Sequence, residues 1–316
     1  MKVRVLSDYD ALSETAAAIV AERLRGKPSA VLLLPTGTTP LGMYRRLVGL
    51  HRSGDLSFAR ATFFNLDEYL GLPPQHPASY HVYMRENFYA LIDADPARVH
   101  VPRGDAPDPQ AECERYEAAI REAGGIDLCV LGIGRNGHIG FNEPSAPFGS
   151  RTRVVRLAES TRRVNAADFE ADRAPERAIT VGLTTICEAS EVLLLASGAN
   201  KAGAVAAAVE GEVSEEVPAS VLRRHPKGTF LLDEDAGSDL ASGWRISRGA
   251  CREQVPPARK AQRRIHQISG GDQIRCPEKN RNVWNDASHP RVFWGATPPA
   301  MSFISLDQRL VVADAE

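Results

Sequence analysis

No stretch of the 316-residue chain approaches the roughly 20 apolar residues that a membrane-spanning helix needs. Met1 to Leu6 holds no long apolar segment, so no secretory leader is expected. The five cysteines (Cys113, Cys129, Cys187, Cys251 and Cys276) form no CxxC pair. Reduced thiols and a cytoplasmic location are therefore expected, with Cys129 a small hydrophobe inside an apolar run. A formal net charge of −2 makes no whole-chain case for nucleic acid or an anionic membrane as partner. HExxH and similar metal-ligand spacings are absent, and so is GxxxxGK[ST]; no metal is assigned, and no nucleotide loop of that type.

What remains is ordinary globular material, 43% hydrophobic and 25% charged, long enough for a sizeable core. Short apolar runs at Lys2–Leu6, Ala30–Leu34, Ala61–Leu66, Ile126–Leu131, Ala178–Gly182, Glu191–Ala196 and Gly228–Leu232 have the length and branching of buried strands. Amphipathic stretches between them predict helices after Asp8 or Asp10, over 41–50, 79–91 and 108–123, and after Lys201, with a short one at 217–222. The section from Pro144 to Leu157 reads as irregular. Alternation of this kind predicts an α/β fold, a three-layer α/β/α sandwich with a mainly parallel, Rossmann-like sheet.

Ligands of such sheets collect at the strands' carboxyl ends, and the chemically capable residues fall there. After the sixth-decade strand come Asp67 and Glu68, two acids that are costly to bury unless they face a polar site or solvent. Asp67 is either a catalytic base or a cap or loop residue. Ala30–Leu34 runs into Pro35-Thr36-Gly37-Thr38-Thr39-Pro40, which is either a phosphate cradle of amides and hydroxyls or an ordinary capped turn. Ile126–Leu131 runs into a three-glycine turn carrying Asn136, His138 and Glu143 within eight residues. These supply an imidazole and a carboxylate able to orient it, or else a turn whose polar groups cap one another. Lys201 opposes the dipole of the helix it opens, a mild cost that makes sense if it neutralises a bound anion. Arg151, Arg153, Arg156, Arg162 and Arg163 make another section basic, either as a lid over an anionic substrate or as solvated surface charge. His76 and His81 read as surface or helix-face residues.

Three stretches together are specific: Leu34–Leu41, Phe64–Pro73 and Leu131–Pro144, the last reading Leu-Gly-Ile-Gly-Arg-Asn-Gly-His-Ile-Gly-Phe-Asn-Glu-Pro. Over about residues 1–236 the chain resembles the glucosamine-6-phosphate deaminases, and its later part also looks like the galactosamine-6-phosphate branch. The sister 6-phosphogluconolactonases share the Gly-x-Gly-x-x-Gly-His core but not the Phe-Asn-Glu-Pro that follows, so Glu143 argues for the deaminase. The resemblance implies that His138, oriented by Glu143 and assisted by Asn136, opens the pyranose, and that Asp67 moves the C2 proton to C1. It further implies that Thr36, Gly37, Thr38, Thr39 and Lys201 hold the phosphate, that Tyr80 lines the pocket, and that no cofactor is required. The expected partner is a small hexosamine 6-phosphate, with monomer or homo-oligomer left open. A sugar-phosphate-sensing module is the alternative; retention of Asp67, His138 and Glu143 favours the enzyme.

Departures from the pattern include Ala167, where a phosphate-binding lid arginine is expected, with Arg162 or Arg163 as substitutes. Ala146 and Val155 replace polar and basic groups of an effector site in which Arg153 remains, so strong activation by N-acetylglucosamine 6-phosphate is not expected. From 237 to 316 the chain is unrecognised. Twelve Lys and Arg against seven Asp and Glu give residues 241–316 a charge of +5, leaving −7 for the rest. That composition predicts a disordered basic tail with little catalytic role.

Overall fold

The computed structural model describes residues 1–166, 169 and 174–241. The expectations for Ala167 and for the tail beyond residue 241 lie outside the described residues. In chain order the elements begin β1 (Lys2–Leu6), α1 (Tyr9–Gly26), β2 (Val31–Leu34), α2 (Leu41–Arg52), β3 (Thr62–Asn65), β4 (Asp67–Tyr69), α3 (Tyr80–Asn87), β5 (Val99–His100) and α4 (Pro109–Glu122). They continue with β6 (Leu128–Gly132), β7 (Arg153–Arg156), α5 (Glu159–Asn165), β8 (Arg177–Thr180), α6 (Leu183–Cys187), β9 (Val192–Ala196), α7 (Ala202–Glu210) and β10 (Gly228–Asp233). Short 3-10 turns at Ala199–Lys201 and Pro218–Arg224 flank α7.

Helix starts are set by local chemistry. Asp8 caps α1 by accepting from the Ala11 amide, Ser79 caps α3 through the Val82 amide, and Asp108 caps α4 with Pro109 in the first turn. Along α1 the buried Leu12, Ala16, Val20 and Leu24 recur every fourth residue and so share one face.

Seven strands form a sheet in the order β1-β10-β9-β6-β2-β3-β5, with every neighbouring pair parallel. Its inner strands β2 and β9 are apolar throughout because both faces are covered. Leu32, Leu34, Leu128, Val130, Leu193 and Leu195 point into one core with α1 and α2. Leu33, Cys129, Leu131, Val192, Leu194 and Phe230 point into the other, with residues of α4, α6 and α7. That alternation within single strands builds the three layers expected of the sequence. Strand order reverses between β2 and β6: the chain runs outward through β3 and β5, then returns to the other side of β2. Crevices at such a reversal are where open α/β sheets bind ligands.

A second, three-stranded antiparallel sheet, β4-β8-β7, corrects two expectations. The section from Pro144 to Leu157 is not irregular throughout, since Arg153–Arg156 is a strand paired with β8. The run at Ala178–Gly182 is a strand, Arg177–Thr180, but it belongs to this small sheet and not to the parallel one. Strand β4, separated from β3 by Leu66 alone, carries Asp67 and Glu68, and both are buried.

Candidate active site

Two turns leave the sheet on either side of the reversal point. After β2 the backbone passes through Gly37 at φ +87°, in the left-handed region, before α2 begins at Leu41. Three phenols clamp this turn by its carbonyls. Tyr44 donates to Pro35 O at 2.6 Å and Tyr83 to Gly37 O at 2.5 Å. Tyr9 shares its hydroxyl between Thr38 O and Thr39 O, at 3.2 and 3.1 Å, and accepts from the Gly42 amide at 2.8 Å. Among the described residues the amides of Gly37, Thr38 and Thr39 donate to no carbonyl, and the first turn of α2 holds no acidic residue. Carbonyls held back and amides free at a helix N-terminus describe an anion cradle.

After β6 the glycine turn folds onto itself. Gly134 N donates to His138 O at 2.9 Å, and Gly137, at φ +85°, donates to Gly134 O at 3.1 Å. This lays the His138 ring directly over Gly134, where a Cβ would fall 2.2 to 2.4 Å from three ring atoms. Nδ1 of His138 lies 3.3 Å from Oε2 of Glu143, a close polar contact without hydrogen-bond alignment. Asn136 donates to the same Oε2 at 2.8 Å, and Thr161 to the other carboxylate oxygen. Burial pushes Glu143 upward, but the contact and charge of His138, then Thr161 and Asn136, outweigh it and hold the carboxyl down at about 2. Glu143 is thus a fixed anion facing a half-buried imidazole, the orientation acid–base work by a histidine needs.

Asp67 meets this cluster from the small sheet. It stands opposite Thr180, whose hydroxyl accepts from the Phe141 amide, and its Oδ2 is 3.5 Å from where a Cβ of Gly140 would lie. Asp67 is therefore two residues of backbone from His138. Burial, and then the neighbouring Glu68 charge, raise its carboxyl to about 8. The neighbours have different tasks, because successive strand residues face opposite ways. Glu68 accepts from the amides of Tyr69, Tyr80 and His81 and so caps α3; burial raises it to about 7 against those three bonds. That cap places Tyr80, whose hydroxyl donates to the Tyr69 phenol at 3.1 Å and contacts the Thr36 side chain. Tyr80 thereby links the Asp67 strand to the anion cradle.

Lys201 lies in the turn before α7, after β9, the strand beside β6. It is half-buried, and burial, with the Arg135 guanidinium beyond it, lowers its pKa. The basic section is mostly paired: Arg151 with Glu188, Arg156 and Arg162 with Glu176, Arg163 with Glu159, while Arg153 donates to Asn142. Arg162 and Arg163, the expected substitutes for a phosphate-binding arginine, are thus each placed beside a glutamate. His81 bonds Pro102 O and His76 stacks on Phe169. Among the described residues no group of three His, Cys, Asp or Glu side chains comes together as a metal site, and no helix is long and apolar enough to cross a membrane.

The residues singled out in the sequence, Asp67, Asn136, His138, Glu143, Thr36 to Thr39, Tyr80 and Lys201, are brought by the fold to one sheet edge. Sequence reasoning missed Thr161, the cap made by Glu68, and the clamp of Tyr9, Tyr44 and Tyr83. Only the pair of acids at 67–68 carried any signal; the others act from segments remote in the chain.

Free amides at one strand end and an imidazole held by a carboxylate at the next make an open α/β fold with an enzyme's kind of site. The chain belongs to the glucosamine-6-phosphate isomerase/6-phosphogluconolactonase family, whose model matches residues 7–231. It is 48% identical over 241 residues to the glucosamine-6-phosphate deaminase of Halothermothrix orenii, covering 76% of this chain and 100% of that protein. To the glucosamine-6-phosphate deaminase of Bacillus velezensis it is 50% identical over 237 residues, 75% of this chain and 98% of the other. The solved structure of a monomeric glucosamine-6-phosphate deaminase is 49% identical, with a TM-score of 0.74 over 76% of this chain and 100% of that one. A 6-phosphogluconolactonase from Trypanosoma brucei, 21% identical with a TM-score of 0.61 over 76% of this chain and 98% of its own, shares the fold alone.

Proposed function

We propose that the chain is a glucosamine-6-phosphate deaminase, an isomerising hydrolase that turns glucosamine 6-phosphate and water into fructose 6-phosphate and ammonia. Identities of 46–50% to deaminases along nearly their whole length support it. The observation that carries the chemistry is the meeting of buried Asp67 with the turn that holds His138 and Glu143.

The cradle of Thr36, Gly37, Thr38 and Thr39, with Lys201, holds the 6-phosphate and so fixes the sugar relative to both acid–base groups. His138, held by Glu143 and Asn136, carries a proton from the O1 hydroxyl to the ring oxygen as the C1–O5 bond breaks, giving the open-chain aldehyde. Asp67 as carboxylate removes the C2 proton while O1 is protonated, and an enolamine forms across C1 and C2. Asp67 then returns the proton to C1, which leaves an imine at C2. Water adds to C2, and ammonia departs to give the ketose. No step calls on a cofactor, because the carbonyl at C1 acidifies the C2–H bond. A base raised to about 8 by burial suits a substrate whose own ammonium, placed beside it, restores the carboxylate. Tyr80 walls the pocket between Asp67 and the cradle.

We assign this chemistry to residues 1–236, give residues 237–316 no catalytic role, and place the enzyme in the cytoplasm, where phosphorylated sugars are held. Ammonia release from glucosamine 6-phosphate, galactosamine 6-phosphate and the non-phosphorylated glucosamine, measured side by side, tests the reading. Turnover of the first is expected to lead by at least tenfold; preference for galactosamine 6-phosphate would move the assignment to the C4 epimer.

A further inference from the structure

Three adjacent strands, β9-β6-β2, deliver their carboxyl ends to the same edge. Lys201 follows β9, Arg135 follows β6, and the Thr36–Thr39 cradle follows β2, so Arg135 stands in the middle position. Among the described residues the side chains of Arg135 and Lys201 have no hydrogen bond and no ion pair, though the Lys201 amide donates to Gly198 O. Of the carboxylates beside these strand ends, Glu143 is engaged by His138, Asn136 and Thr161, and Asp233 by Ser197 and the Gly198 amide. This contrasts with Arg151, Arg156, Arg162 and Arg163, each of which has a glutamate. Two cations brought together without an anion repel one another, and the cost is recovered when an anion sits between them. A phosphate monoester carries about −1.5 to −2 charge at pH 7, which matches two cations and not one.

We propose that Arg135 is the second cation of the phosphate subsite, contacting the 6-phosphate from the strand end between Lys201 and the threonine cradle. The proposal rests on the phosphate reading of that edge. Lys201 supplies a point charge from a half-buried stem, while the exposed Arg135 supplies a planar fork that closes on phosphate oxygens.

The test uses the full chain with Arg135→Met, which keeps a long apolar stem, and Arg135→Lys, which restores the charge. KM and kcat for glucosamine 6-phosphate are measured at low ionic strength, and inorganic phosphate binding by calorimetry. A charge-assisted contact partly open to solvent is expected to be worth about tenfold. Arg135→Met should raise KM and the Kd for inorganic phosphate by about that factor, with kcat within about threefold of the unmodified chain, and Arg135→Lys should fall between. KM and phosphate Kd unchanged within twofold would overturn the proposal and leave Arg135 a solvated surface charge. A collapse of kcat at constant KM would also overturn it, because the residue would then act on the His138 turn. If the unmodified chain releases no ammonia, the functional reading fails, yet calorimetry still decides this one: phosphate binding lost with Arg135 upholds it, and binding absent or unaffected refutes it.

Discussion

Replacing Gly134 by alanine puts the geometry of the His138 turn to a sharp test. The new methyl carbon would stand 2.2, 2.3 and 2.4 Å from Cε1, Nδ1 and Nε2 of His138, where ordinary contact begins near 3.4 Å. The ring is rigid, so it must retreat by about 1 Å or swing off Glu143, and a displacement of about 1 Å at a reacting group costs about 10²-fold. That factor corresponds to about 2.7 kcal/mol of transition-state stabilisation. Gly134 does not have a positive φ, so the backbone accepts alanine, and the cradle at 36–39 is untouched. Gly134→Ala should therefore lower kcat about 100-fold, with KM within about threefold and Tm within about 4 °C of the parent. Coupled ammonia release gives the rates and a thermal melt the stability. A variant with kcat within threefold of the parent would refute the claim that the ring's position over Gly134 is the working one.

Asp67→Asn should change the pH dependence of stability as well as abolish turnover. The folded-state pKa of about 8 lies above the ordinary 3.8, so the folded protein binds this proton more tightly than the unfolded chain. Stability is then lost as pH rises from about 4 through 8, and melts of Asp67→Asn across that window should show a flatter decline. Glu143 has the opposite sign: with a folded pKa of about 2 against an ordinary 4.5, its stabilisation is present above pH 4.5 and lost as pH falls through 2. Glu143→Gln should be destabilised at neutral pH and converge on the parent in acid melts; a constant gap at all pH values would contradict this. Tyr9→Phe removes a hydroxyl that bonds three backbone groups of the cradle, each worth about 0.5–1.5 kcal/mol. Its KM should rise several-fold with kcat kept, and an unchanged KM would show that the cradle holds itself.

The parallel sheet was legible because strands buried on both faces, such as Val31–Leu34 and Val192–Ala196, are unbroken apolar runs. The small antiparallel sheet was not. Arg153–Arg156 is half-buried with arginine at each end, and β4 begins with two acids. Both become strands only by pairing with Arg177–Thr180, far along the chain. The same distinction divides the site. Asn136, His138 and Glu143 sit within one turn and declare their chemistry by type and spacing. Tyr9 and Tyr83 reach the cradle across 30 and 46 residues of sequence, and no local pattern marks a tyrosine as one that will hold a carbonyl. Asp67 was ambiguous because burial decides its meaning, and burial comes from β8 and the Gly140 turn.

The central claim is that one pocket both holds the phosphate and moves the C2 proton. Incubating the full chain with glucosamine 6-phosphate, and quantifying ammonium and fructose 6-phosphate in the same samples, tests it most directly. The account predicts equal amounts of the two products, falling at least about 10²-fold in Asp67→Asn. Absence of both products with the unmodified chain, or undiminished release from Asp67→Asn, would contradict it.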